Sequence, residues 1–126
     1  MQLRTPISRT RGLGSAKEGL GHWTAQRLTA IANVVLIIWF LFSAMSLAGA
    51  DYQATRAWLA SPVCAGLMLL LIASVFYHAK LGLQVVIEDY VHDGGLKIAA
   101  ITAVTLVTIG LGVICAVAVL KTSLAG

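Results

Sequence analysis

Charge is what this chain has least of. Only 11% of its 126 residues are Asp, Glu, Lys or Arg, and the five acids are outnumbered by nine basic residues. A soluble domain this small keeps a large share of its residues at the surface and needs polar side chains to cover it. With 59% hydrophobic residues and a mean hydropathy of +0.89, the composition excludes that and places the chain in a membrane. Cysteine is scarce too. Cys64 and Cys115 both fall within or at the margin of apolar stretches, which gives no support to a disulfide or zinc framework and reads as packing. No internal repeat is visible. The net charge of +4 comes with nothing folded and soluble, so it is not a nucleic-acid footprint.

What is present is three apolar runs: Leu28 to Ala50, Val63 to Ile87 and Ile98 to Leu120. The first has 23 residues, which at about 1.5 Å each reach roughly 34 Å as a helix, enough to cross a bilayer. The links, 51–61 and 88–97, are read as short and polar. Ser61 is the expected N-cap before Pro62, which suits a first helical turn, and Gly94-Gly95 is a turn signal. Residues 1–27 form a basic arm, with Arg4, Arg9, Arg11, Lys17 and Arg27 against the single acid Glu18. Positive flanks stay on the cytoplasmic side. The expectation is therefore an all-α membrane protein of three transmembrane helices within residues 28–121, amino terminus cytoplasmic and carboxyl terminus on the far side. A second reading of the arm is an organellar transit peptide; the first run is too long for a secretory h-region.

The middle run carries the chemistry. His78 lies inside it, and an imidazole in hydrocarbon is costly and calls for a partner. At about 100° per residue, His78, Gly82, Val85 and Asp89 fall at roughly 0°, 40°, −20° and 20°, one narrow stripe with Ser74 alongside at about −40°. That stripe suits a large flat ligand, with His78 binding iron through a ring nitrogen while Gly82 leaves room for a macrocycle. Asp89-Tyr90, about 16 Å further along, belongs to the aqueous boundary. There a carboxylate and a phenol are able to hydrogen-bond a quinone carbonyl and relay protons. The blander alternatives are a histidine bonded to a neighbouring helix and a solvated helix end with an interfacial tyrosine. Lys80 points away from the stripe and reads as a snorkelling surface or partner contact. Trp23, Trp39 and Trp58 read as interface anchors or packing, and Tyr77 as at most a neighbour of the ligand face. Small residues along the third run (Ala99, Ala103, Gly110, Gly112, Ala116) fit either close helix contact or ordinary membrane composition.

The run from His78 through Gly82 to Asp89-Tyr90 follows the pattern H-x-x-x-G-x-x-x-x-x-x-D-Y, and it resembles the small membrane-anchor subunits of succinate dehydrogenase (respiratory complex II). Gly21-His22-Trp23-Thr24-Ala25-Gln26-Arg27-Leu28-Thr29-Ala30 resembles that family's approach to its first helix, and the likeness runs from about Gly12 onward. The resemblance implies a haem b shared with a sister cytochrome b subunit, with His78 as one axial ligand and the second supplied by the sister. It implies that Tyr90 and Asp89 border a ubiquinone pocket at the iron–sulfur subunit, and that Arg27 and His22 lie near the haem propionates, where a guanidinium pairs with carboxylates. Lys80 departs from the family pattern between ligand and glycine. The basic arm is of the alphaproteobacterial type, which implies a bacterial inner membrane, a mitochondrion being the lesser option. With no flavin fingerprint and no cluster-binding cysteine set, the chain does not oxidise succinate alone; a flavoprotein subunit would do so. Rival readings are the anchor of a fumarate reductase or another haem-b quinone oxidoreductase, a small proton-relay or transport subunit using His78 and Asp89, and a purely structural assembly subunit.

Overall fold

The computed structural model describes residues 13–125, with side chains from residue 20 onward. Arg4, Arg9 and Arg11 of the basic arm, and the side chains of Lys17 and Glu18, lie outside the described residues. Every regular element among the described residues is helical: α1 Leu13–Ser46, α2 Tyr52–Ala60, α3 Pro62–Tyr90 and α4 Gly94–Leu124. Three of them contain stretches long and apolar enough to cross a membrane, Leu20–Ser46, Pro62–Tyr90 and Gly94–Leu124. In lipid each backbone N–H and C=O needs a partner within the protein, and a continuous helix supplies one for all but those at its two ends.

The helix ends differ from the expected ones for local reasons. The first apolar run stops being helical at Ser46, and Leu47 to Gly49 form a turn in which Gly49 adopts φ +80. That left-handed conformation suits a residue without a Cβ. The 51–61 link is not an irregular loop but contains α2, because Asp51 caps it: its carboxylate accepts from the Ala54 N–H at 2.9 Å. Ser61 does sit at the N-cap of α3 before Pro62, although its side chain makes no capping bond. The 88–97 link shrinks to Val91–Asp93. Gly94-Gly95 is no turn; it is the first turn of α4, held by the Asp93 carboxylate accepting from the Gly95 N–H at 3.1 Å.

The strained turn gives a measurable contrast. Gly49→Ala places a Cβ in left-handed backbone at a cost of about 1–2 kcal/mol. Gly66→Ala, mid-helix in α3 with nothing within 4 Å of the added Cβ, gains about 0.5–1 kcal/mol. Thermal unfolding of the chain in detergent micelles should therefore move down for the first variant and up for the second.

α3 is the middle of the arrangement, packed against α1 on one side and α4 on the other, while α2 lies against α3 and α4. Trp58 of α2 also stacks on Trp39 of α1, ring centroids 5.7 Å apart, which ties the short helix to the first span. On the α4 side, Phe76 fits against Gly112, where an added Cβ would lie 3.7 Å from the ring. Gly110 has nothing within 4 Å, so the small residues of α4 do not all serve one contact. Buried apolar side chains are few: Leu36, Leu59, Ala65, Leu71, Leu81 and Val119. Most large hydrophobic residues remain exposed, as they must where the surroundings are lipid tails or another membrane subunit. Both cysteines are free and partly buried.

Candidate functional site

Where α1 meets α3, the apolar surfaces give way to a polar seam. At about 100° per residue, His22, Gln26, Thr29 and Asn33 of α1 fall at roughly 0°, 40°, −20° and 20° around the axis, a stripe within the arc of a single side-chain row. Opposite it on α3 stand Ser74, His78 and Gly82. His78 is partly buried, and its Nδ1 lies 3.0 Å from the Thr29 hydroxyl. One turn away, the buried Ser74 hydroxyl donates to the Thr29 carbonyl at 3.2 Å. One turn the other way, the Gln26 amide nitrogen is 3.8 Å from where a Gly82 Cβ would sit, the sole neighbour within 4 Å. The space beside Gly82 is thus bordered on one side by Gln26 and otherwise open.

Three buried atoms of the seam have no hydrogen-bond partner among the described residues: His22 Nε2, Gln26 Oε1 and Asn33 Oδ1. Buried polar atoms of a finished assembly almost always have partners. Three orphans on one stripe of α1 therefore mark a surface that a ligand, ordered water or a further chain completes.

His78 is the only histidine brought to this seam from α3, and among the described residues no three of His, Cys, Asp and Glu come together. A metal here would take His78 as a ligand, and the described residues do not by themselves complete a set of three. Arg27 is turned about 140° from His22 around α1. It is exposed, and its guanidinium stands 5.3 Å from the Trp23 ring centre. His22 and Arg27 therefore do not share a face. Asp89 and Tyr90 end α3, both exposed, Tyr90 at 78%; they stand where the helix gives way to the 91–93 link, well apart from the imidazole. Lys80 points toward α4, its ammonium 5.9 Å from the Tyr77 ring centre, and with Phe76, Thr108 and Gly112 it lines an apolar groove of about 380 Å³.

Comparison with known proteins supplies the family. A profile of the succinate dehydrogenase/fumarate reductase transmembrane subunit matches residues 1–119. The chain belongs to this family. The succinate dehydrogenase hydrophobic membrane anchor subunit of Rickettsia bellii is 37% identical to it over 106 residues, covering 84% of this chain and 85% of its own length. The subunits of the same name from Rickettsia conorii, 32% identical with 82% of each chain covered, and Paracoccus denitrificans, 31% identical over 82% and 81%, are similar across the same extent. No solved structure matches the chain. The likeness drawn from His78, Gly82 and Asp89-Tyr90 is borne out, and the role of this family member is that of a hydrophobic membrane anchor.

Sequence reasoning missed Thr29, Gln26 and Asn33. The signal was there: His22, Gln26, Thr29 and Asn33 repeat the 0, 4, 7, 11 spacing of His78, Gly82, Val85 and Asp89. What the sequence could not disclose was that Gln26 and Thr29 of the first stripe face Gly82 and His78 of the second.

Proposed function

We propose that this anchor belongs to a succinate:ubiquinone oxidoreductase of a bacterial inner membrane, where it supplies one axial ligand to a haem b and part of a ubiquinone pocket. The observation that carries the reading is the imidazole of His78, fastened through Nδ1 to Thr29 and leaving Nε2 as the ring nitrogen able to bind iron. The residues around it fit the group. Gly82 keeps the helix surface low one turn away, and the orphaned atoms of His22 and Gln26 lie along the same seam. Bound there, haem b would supply reversible one-electron chemistry, with a sister cytochrome b subunit furnishing the second ligand.

The chain's own residues do the rest. His22, whose Nε2 is buried without a partner among the described residues, would donate to a haem carboxylate. Arg27 would reach such carboxylates only by leaving Trp23, a rotation that its long stem permits. Asp89 and Tyr90, exposed at the end of α3, hydrogen-bond a quinone and hold or pass a proton at the phenol oxygen and the carboxylate. The basic residues before the first apolar run, the last of them, Arg27, already inside α1, keep the amino terminus and the α3–α4 link on the cytoplasmic side, with the carboxyl terminus periplasmic. Iron–sulfur and flavoprotein subunits would meet the anchor on that cytoplasmic face. Support comes from the family match and from the names of the Rickettsia and Paracoccus relatives.

The deciding experiment is a dithionite-reduced minus oxidised spectrum of membranes in which a tagged copy of this chain is made with its neighbouring subunits. A reducible Soret band that co-purifies with the tag, together with a flavoprotein and an iron–sulfur protein, is the expected result. A tagged complex that reduces quinone yet carries no haem would remove His78 from this role.

A further inference from the structure

The hydroxyl of Thr29 has one proton and three polar neighbours. The Ala25 carbonyl lies at 2.8 Å, the Gln26 carbonyl at 3.1 Å and His78 Nδ1 at 3.0 Å. With two carbonyl acceptors at 2.8 and 3.1 Å on its own helix, the hydroxyl proton is best placed on them, and a lone pair of the Thr29 oxygen then faces the ring. The partner that satisfies every group is an Nδ1–H donating to that lone pair. This selects one tautomer of the neutral imidazole, with the proton on Nδ1 and the free pair on Nε2. The Ser74 hydroxyl, bonded to the Thr29 carbonyl at 3.2 Å, fixes α3 against the same residue one turn from His78. Thr29 is thus gripped twice, once through its side chain and once through its backbone.

We infer that Thr29 is the positioning residue for His78: its hydroxyl accepts from Nδ1–H, sets the tautomer and aims Nε2 at the metal. The inference rests on the proposed haem role of His78 and deepens it. A partner that accepts from the non-ligating ring nitrogen raises the basicity of the ligating one, and losing such a partner typically costs roughly 10- to 100-fold in metal affinity. A more basic ligand favours the oxidised metal, so the hydroxyl should hold the midpoint potential down.

The test uses the whole complex in native membranes, with Thr29→Val, Thr29→Ser and Ser74→Ala beside the wild type. Haem midpoint potential is read by spectroelectrochemical titration, and haem retention by transfer to excess apomyoglobin after solubilisation. Thr29→Val, which keeps the branched shape but has no hydroxyl, should raise the potential and speed haem loss roughly 10- to 100-fold. Thr29→Ser should restore both. Ser74→Ala, which removes the bond to the Thr29 carbonyl but leaves the Thr29 hydroxyl on the ring, should shift the potential by much less than Thr29→Val. The inference is overturned if Thr29→Val binds haem with unaltered potential and retention, or if Ser74→Ala reproduces the shift, since packing alone would then explain it. Should Thr29→Val not assemble, the reduced-minus-oxidised infrared spectrum of wild-type membranes grown on 15N-histidine reads the same bond. A ring mode of a hydrogen-bonded Nδ1–H supports the inference and that of an unbonded one overturns it. A wild-type complex without haem sinks the underlying role of His78 instead, which keeps the two failures apart.

Discussion

His78→Ala is expected to strip the complex of its haem while leaving the anchor in the membrane. Among the described residues the wild-type ring makes one hydrogen bond, that to Thr29, and losing a single neutral bond of this kind costs about 1 kcal/mol. The Thr29 hydroxyl keeps its bonds to the Ala25 and Gln26 carbonyls, so the seam is not left with a stranded donor. Stability of the helix pair should therefore change little. Haem retention should fall by more than the roughly 10- to 100-fold that removal of an outer-shell partner costs, because here a ligand itself is gone. The measurement is haem per anchor subunit, from the pyridine haemochrome spectrum against quantitative immunoblotting of the tagged chain. Undiminished haem in a fully assembled His78→Ala complex would show that iron takes its ligands elsewhere and that the imidazole serves only to join α3 to α1.

Tyr90→Phe is the second large effect, and it separates two activities of the same complex. Tyr90 is 78% exposed at the last position of α3, and the lost hydroxyl makes no hydrogen bond within the described residues that a phenylalanine would forfeit. Folding should be indifferent to the change. A proton donor positioned at a reacting group contributes typically 10²- to 10⁴-fold, so succinate-driven quinone reduction should fall by roughly 100-fold or more. Reduction of a soluble dye by the catalytic subunits should stay at the wild-type rate. Equal loss of both would mean that Tyr90 holds the subunits together rather than serving the quinone.

Much of this was legible in the sequence because a bilayer leaves a chain few choices. Runs of apolar residues at spanning length become helices, and the three expected spans fall on α1, α3 and α4 apart from residues 47–50, which lie beyond the end of α1. The family, too, was readable, because His78, Gly82, Asp89 and Tyr90 keep their spacing along one continuous element. The links were less legible. Asp51 and Asp93 each cap a helix start, so residues that look like loop composition belong to helical turns. The seam was the least legible part. Thr29 is an ordinary residue in an apolar run until α3 is laid beside it, and its meeting with His78 spans 49 residues of sequence. Local pattern carries angular position on one helix but says nothing of which helix lies opposite.

α3 runs from Pro62 to Tyr90 without interruption, and that makes it a ruler. The imidazole and the phenol–carboxylate pair are graduations on a single rod, about 16 Å apart, and the interval is maintained by the ladder of backbone bonds between them. Swelling or thinning of the surrounding lipid tilts such a rod but does not stretch it. Had the two groups been carried on separate elements, every sideways slip between those elements would have altered their separation. Here the gap travels with the helix, as constant as its pitch.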